Sequence, residues 1–173
     1  KAYEMDSFYR HFHYAFGCTL KNSNVLLEDK LKHAADNVEG LYQNWFLKEL
    51  TGCWTKAISD NLAALGYVSE IGKQRDFYSH YVKPLAGKNS RAFVIISDAL
   101  RYEVAAELCD TITRTTKGTA KLDAVQAVFP SITKFGMAAL LPGRKLSVND
   151  GMDVLVDEMP TRSTDERGKV LRA

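Results

Sequence analysis

The sequence predicts an α/β protein: a helical N-terminal half followed by the first strands and helices of a parallel sheet, with the sheet domain incomplete. Three observations carry that expectation. Up to about residue 87, apolar side chains recur at spacings of three, four and five, which lines one face of a helix. The polar connector GKNSR at 87–91 then separates this grammar from a second one. Beyond it, short β-branched runs alternate with helix-like stretches, the order expected of a parallel α/β layer. The expected domains are a helical region over 1–87 and the first part of a sheet domain over 88–173.

In the first half, EMDSFYRHFHYAF and LLEDKLKHAADNV read as two helices separated by the polar break KNSN at 21–24. NVEGLYQNWFLKELTGCWTKAI places Val38, Leu41, Tyr42, Trp45, Leu50, Trp54 and Ile58 on a helical stripe, and the next segment, NLAALG, ends in a glycine suited to a helix C′ position. Phe77, Tyr78, Tyr81, Val82 and Leu85 form a further stripe, with Gly87 near its stop. In the second half, AFVIIS (92–97) is apolar on both faces, as an interior parallel strand is. ALRYEVAAELCDTI follows as a helix, KLDAVQAVF (121–129) as a second strand, TKFGMAALLPG as a short helix closed by Pro-Gly, and DVLVD (153–157) as a third strand.

With 46% hydrophobic and 25% charged residues in 173, the chain can bury one ordinary core or two small ones. Its formal net charge of +2 comes from interspersed acids and bases, so no basic arm marks a nucleic acid or membrane partner. The three cysteines are scattered and never in CxxC spacing. Neither a disulfide framework nor a zinc knuckle follows, and a reducing cytoplasm is expected. No apolar run approaches the roughly 20 residues of a membrane span. The chain opens on Lys1 and stops at Ala173 within a charged, helix-like pattern, which predicts a piece of a longer protein.

Asp98 closes the first predicted strand. In open parallel sheets functional groups gather beyond the carboxyl ends of strands. Such an acid can bind a metal, receive a proton, or only cap the next helix. The second predicted strand runs into PSIT, where Ser131 or Thr133 can cap the following helix and hold a hydroxyl where phosphate is favoured. A neutral hydroxyl attacks poorly until a base or a metal activates it, and Asp98 is the available acid. Neighbouring strand ends would bring the Asp98 and Thr133 oxygens within about 6 Å. Arg101 can meet a phosphate oxygen or pair with Glu103, and Ser131 and Lys134 can touch an anion beside Thr133 or be only a cap and a solvated face. His11 and His13, two apart on a helix, point to different faces and read as packing, as do His33 and His80.

FPSITKFGMAALLPG resembles the nucleophile segment of the alkaline phosphatase superfamily, a Pro-x-x-Thr turn before a small-residue helix, with Thr133 as the matching hydroxyl. VIISDALRYEVAAEL resembles the PglZ family of BREX phage-defence systems within that superfamily. NWFLKEL and QRDFYSHYV are similar to the helical region preceding that domain, most of all in the type A branch. The resemblance is strong over 91–143 and weaker over 38–82. It implies an alkaline-phosphatase-like parallel sheet and a metal-dependent phosphatase or phosphodiesterase. In that reading Asp98 ligates one of two divalent ions, usually zinc in the superfamily, and Thr133 attacks phosphorus and can itself bind metal.

The implied substrates are phosphate esters, nucleic acid among them, and the implied partners are other BREX proteins. One departure counts against activity. The superfamily completes its site with Asp and His ligands after the nucleophile helix, and all four histidines here precede Asp98. The expectation is therefore that the remaining ligands lie outside this chain, that it binds no metal or an incomplete set, and that it has little activity alone. An unfinished sheet edge would favour self-association. The alternative is a non-catalytic interaction or scaffold module of the defence complex. A nucleotide-binding domain ranks last, since no GxGxxG or GxxxxGK[ST] is present.

Overall fold

A computed structural model describes residues 2–21, 25–86 and 91–173. In chain order its elements are α1 (Ala2–Leu20), α2 (Val25–Gly40), α3 (Lys48–Leu65), α4 (Lys83–Ala86), α5 (Tyr102–Thr115), α6 (Thr133–Ala139), β1 (Leu146–Val148), β2 (Val154–Val156), β3 (Met159–Pro160) and α7 (Thr164–Arg172). They fall into two compact units, Lys1–Gly66 with Ala99–Leu122, and Tyr67–Asp98 with Asp123–Ala173. The division at 87/88 read from the pattern falls on residues outside the described ones. The break at 21–24 and the connector at 87–91 fall largely on residues 22–24 and 87–90, outside the described residues, as does the Gly87 stop.

The first unit is helical. Gly40 and Lys48 keep right-handed helical dihedrals on either side of a wider π-helical stretch, Leu41–Leu47, so α2 and α3 continue into one another. Gly66 ends α3 at φ 72°, a left-handed cap that glycine adopts without Cβ strain, and its amide donates to the Leu62 carbonyl at 3.0 Å. Tyr42 is buried and its ring stacks on Tyr9 at 3.8 Å between centroids. Its hydroxyl donates to Asp6 Oδ1 at 2.5 Å, and burial together with this acceptor pushes the phenol pKa up. Glu103, in the first turn of α5, is only 2% exposed. Arg101 Nε at 3.2 Å and Arg10 Nε at 3.7 Å balance its charge. Removing either arginine would leave a buried carboxylate under-compensated.

The second unit is built around β2. It pairs antiparallel with β1, Leu146 opposite Val156 and Val148 opposite Val154, and with β3, Val156 opposite Met159. The core is Val154 and Val156 of β2, Ala138 of α6 and Val170 of α7, with Phe135, Leu141, Leu146 and Met159 packed around it. Gly143 lies so close that a Cβ there would collide with Val156 Cγ1. The Asp157 carboxylate accepts the amides of Arg144 and Lys145, at 3.0 and 2.8 Å, which holds its pKa below the usual carboxylate range. α7 opens with a capping box: Ser163 Oγ accepts the Glu166 amide, and the Glu166 carboxylate accepts the Ser163 amide.

The helices expected around 102–115 and 133–139, and the strand within 153–157, are present. The expected parallel sheet is not, among the described residues. Residues 91–97 carry no strand, and 121–129 makes a single parallel bridge between Gln126 and Lys73. The Gln126 amide donates to Gly72 O at 2.7 Å and its carbonyl accepts the Gln74 amide at 2.9 Å, and no further ladder bond extends the pair. A strand forms where a neighbouring ladder takes its backbone groups, and β propensity measures fit to such neighbours. Among the described residues the first run has no such neighbour and the second only the one bridge, which leaves Phe93 84%, Ile95 91% and Phe129 94% exposed. The observed sheet is the small antiparallel one, whose outer strands are too short to give a clear alternation.

Two outcomes follow from this packing. Val156→Ala should lower unfolding free energy by about 1–3 kcal/mol, measured by denaturant titration, because it opens a cavity in a core with few members. The Glu166 carboxyl lies below its ordinary value of 4.5, chiefly through the Ser163 amide. Its stabilisation is therefore complete above that value and lost as pH falls through the depressed native one. Glu166→Gln should flatten the fall in thermal midpoint between about pH 6 and pH 3; an unchanged acid limb would contradict this.

Candidate active site

Asp98 lies in a turn, and the next residue, Ala99, has φ 58°. A left-handed conformation costs an alanine about 1–2 kcal/mol. Strain of this kind at a non-glycine residue clusters at functional sites. Thr133 is the first residue of α6. The cap position ahead of it belongs to Ile132, whose extended backbone, φ −96° and ψ 152°, turns the chain into the helix without a side-chain cap. Neither Ser131 nor Thr133 is the capping residue. The Thr133 hydroxyl instead donates to Asp98 Oδ2 at 3.2 Å, long for an O–H···O bond and well inside the expected 6 Å. The peptide bond preceding Pro130 is cis.

This pair lines a cleft of about 490 Å³ in the second unit, to which Ile96, Met137 and Val154 contribute apolar lining. Lys134 lines it too, and its Nζ donates to the Met152 carbonyl at 2.8 Å, tying α6 to the β1–β2 hairpin. That hairpin turn is closed by the Asp153 amide on Asn149 Oδ1 at 2.8 Å, and Asp153 brings a second carboxylate to the cleft. Thr161, Arg162 and Arg167 line it as well. The buried Thr161 hydroxyl donates to Val154 O at 2.7 Å. Arg167 Nη1 donates to the carbonyls of Thr161 and Arg162 at 3.0 and 3.1 Å, and its Nη2 to Thr164 Oγ1 at 3.3 Å.

The sequence-predicted residues separate. Asp98, Thr133 and Lys134 share the cleft, whereas Ser131 is exposed and not among its lining residues. Arg101 belongs to the first unit, where Glu103, Asp6 at 3.6 Å and the Tyr42 hydroxyl at 3.4 Å surround its guanidinium. Asp153, Arg162 and Arg167 escape the sequence reading. A signal for two of them was there: Ser163-Thr164-Asp165-Glu166 has the S-x-x-E spacing of a capping box. It marks Arg162 as the last loop residue before a helix and Arg167 as one turn inside.

For a metal, the cleft offers oxygens alone. Among the described residues no group of three or more His, Cys, Asp or Glu side chains could hold an ion. Zinc takes about four ligands, largely nitrogen or sulfur, so these residues do not by themselves form a zinc site. The histidines lie elsewhere: His11 beside Glu107 at 3.6 Å, His13 beside Glu39 at 3.5 Å, His33 beside Asn37 and His80 beside Tyr81. Among the described residues no helix is long and apolar enough to cross a membrane.

Residues 77–173 match the family described as the BREX system PglZ alkaline phosphatase-like domain. Two curated relatives align with most of the chain. It is 35% identical over 176 aligned residues to the alkaline phosphatase-like protein PglZ of Bacillus cereus (strain H3081.97), covering 99% of this chain and 20% of that protein. It is 38% identical over 147 to the alkaline phosphatase-like protein BrxZ of Escherichia coli O9:H4 (strain HS), covering 82% and 17%. The chain thus spans about a fifth of the length of these relatives. No solved structure matches it. On the family match, which takes in the cleft and the Asp98–Thr133 pair, the chain belongs to the PglZ family of BREX alkaline phosphatase-like proteins.

Proposed function

We propose that the protein from which this chain comes is a metal-dependent phosphatase or phosphodiesterase acting with other BREX proteins in phage defence in the cytoplasm, with Thr133 as nucleophile and Asp98 as its activating acid. The observation that carries the reading is the hydroxyl of Thr133 donating to Asp98 Oδ2 at 3.2 Å inside a cleft. Thr133 Oγ1 attacks phosphorus as its proton passes to Asp98, the bond from phosphorus to the ester oxygen breaks, and the departing alkoxide takes that proton from Asp98. A water then cleaves the Thr133 phosphoester, its oxygen bonding to phosphorus and its proton passing to the released threonine oxygen. That releases phosphate, or a monoester where the substrate was a diester, and returns the hydroxyl.

A carboxylate is a weak base for an alcohol, and lowering the alcohol's pKa is the chemistry a divalent ion, zinc by superfamily resemblance, supplies when bound. Asp98 would be one of its ligands, Thr133 a potential second, and the rest lie outside the described residues. Accordingly the 173-residue chain alone has little or no activity. Lys134, tied to Met152, holds α6 against the hairpin and can also present its charge to a bound anion. Ser131, two residues ahead of Thr133, remains a substrate contact of the complete site in this reading.

A second reading, a docking module of the BREX complex, draws on the helical unit, where Leu41, Trp45 and Trp54 stand 62%, 57% and 51% exposed. Self-association would be sought at the unpaired runs around Phe93, Ile95 and Phe129 rather than at a parallel sheet edge.

The test is hydrolysis of p-nitrophenyl phosphate, its bis-ester and DNA by the complete protein, with and without added zinc. Thr133→Ala should lower kcat by at least about 10³-fold, with Asp98→Asn close behind. Undiminished turnover in Thr133→Ala would exclude the nucleophile. Zinc-dependent turnover by the 173-residue chain, lost in Thr133→Ala, would refute the incomplete-site reading.

A further inference from the structure

The cleft holds three cationic side chains, and their situations differ. Lys134 Nζ is bonded to the Met152 carbonyl. Arg167 directs its fork at two carbonyls and a hydroxyl of the 161–164 loop. Arg162, exposed at the cleft wall, makes no hydrogen bond or ion pair through its guanidinium among the described residues. Its backbone is held on both sides. Its own carbonyl accepts Arg167 Nη1 at 3.1 Å, and Thr161 before it is fixed through its buried hydroxyl on Val154. A planar donor fork with no protein acceptor, on a braced backbone beside a nucleophile candidate, is suited to an anion with two acceptor oxygens.

We propose that Arg162 is the guanidinium that binds the non-bridging oxygens of a phosphoryl group in this cleft, and that Arg167 positions it by locking the loop. The inference rests on the phosphoryl-transfer reading of the site and adds to it a substrate-binding residue and a ligand class, a phosphoryl anion presenting two equatorial oxygens. Arg162 touches the ligand, whereas Arg167 acts through Arg162.

The experiment uses the complete protein and inorganic phosphate as the probe, read by equilibrium binding, alongside hydrolysis of p-nitrophenyl phosphate. Arg162→Ala should weaken phosphate binding by about tenfold or more, the loss of a charge-assisted bidentate contact. Arg162→Lys should recover part of it, since charge returns without the fork. Arg167→Ala should raise the phosphate Kd by a smaller factor and be rescued by Arg167→Lys less than fully. Arg114, an exposed residue paired with Asp110 in α5, provides the charge control, and Arg114→Ala should leave binding unchanged. Phosphate affinity unaltered in Arg162→Ala, or equally reduced in Arg114→Ala, overturns the proposal. Thr133→Ala separates the two readings: it should abolish hydrolysis yet keep phosphate. Turnover surviving in Thr133→Ala while Arg162→Ala loses phosphate removes the nucleophile and leaves the anion site standing.

Discussion

The packing of β2 against α6 and α7 is the constraint on which the candidate site depends. Val154 and Val156 are the only β2 side chains aimed inward by the strand's alternation, and they meet Ala138 from α6 and Val170 from α7. Ala138 lies five residues beyond Thr133, and Val170 three beyond Arg167. The same few apolar contacts therefore set the nucleophile candidate and the arginine wall relative to each other. The small size of Ala138 and Ala139, 1% and 2% exposed, allows α6 to approach the sheet closely. A bulkier residue at either would overpack this contact and shift α6, and Thr133 with it.

Around that core, polar side chains fasten backbone turns rather than one another. Asp157 gathers the amides of Arg144 and Lys145, Asn149 takes the amide of Asp153, and Arg167 takes two carbonyls. Each tie satisfies backbone groups that a three-residue strand leaves unpaired. Short strands and tight turns are affordable here because side chains replace the missing ladder. Of these side chains, Arg167 also lines the cleft, so the cations there have different degrees of freedom. Arg167 and Lys134 are committed to the scaffold, and among the described residues the cleft-lining Arg162 guanidinium has no hydrogen-bond or ion-pair partner.

What was legible in the sequence divides along the same physical line. Helices whose apolar period is long, such as those ending at Gly66 and beginning at Tyr102, declare themselves locally. The nearness of Asp98 to Thr133 was read from the ends of two neighbouring parallel strands; the oxygens do lie 3.2 Å apart, but neither run forms a strand, so the distance holds and the route to it does not. The runs at 92–97 and 121–129 misled for the converse reason. Their β-branched composition describes neighbours that would flank them, and Gln126 instead directs its side chain to Val68 and Ile71, its amide and carbonyl to Gly72 and Gln74. Arg162 and Arg167 were hidden because a capping box is a four-residue signal inside a polar stretch, where no periodicity draws attention to it.

The two halves of the Asp98–Thr133 pair differ in how firmly they are held, and this bears on chemistry. Thr133 is rooted in a helix whose far end is buried in the core, and Lys134 beside it is bonded to the hairpin. Asp98 ends a run of exposed residues outside any ladder and is followed by a strained alanine. Backbone hydrogen bonds exposed to water and sparse apolar burial lower local stability. Nucleophile activation requires the acceptor within hydrogen-bond reach for most of the time the substrate is bound. Whatever takes up the unpaired backbone of 91–97 would steady Asp98 at the same stroke, so the competence of the site is tied to covering that segment, and Thr133 alone does not decide it.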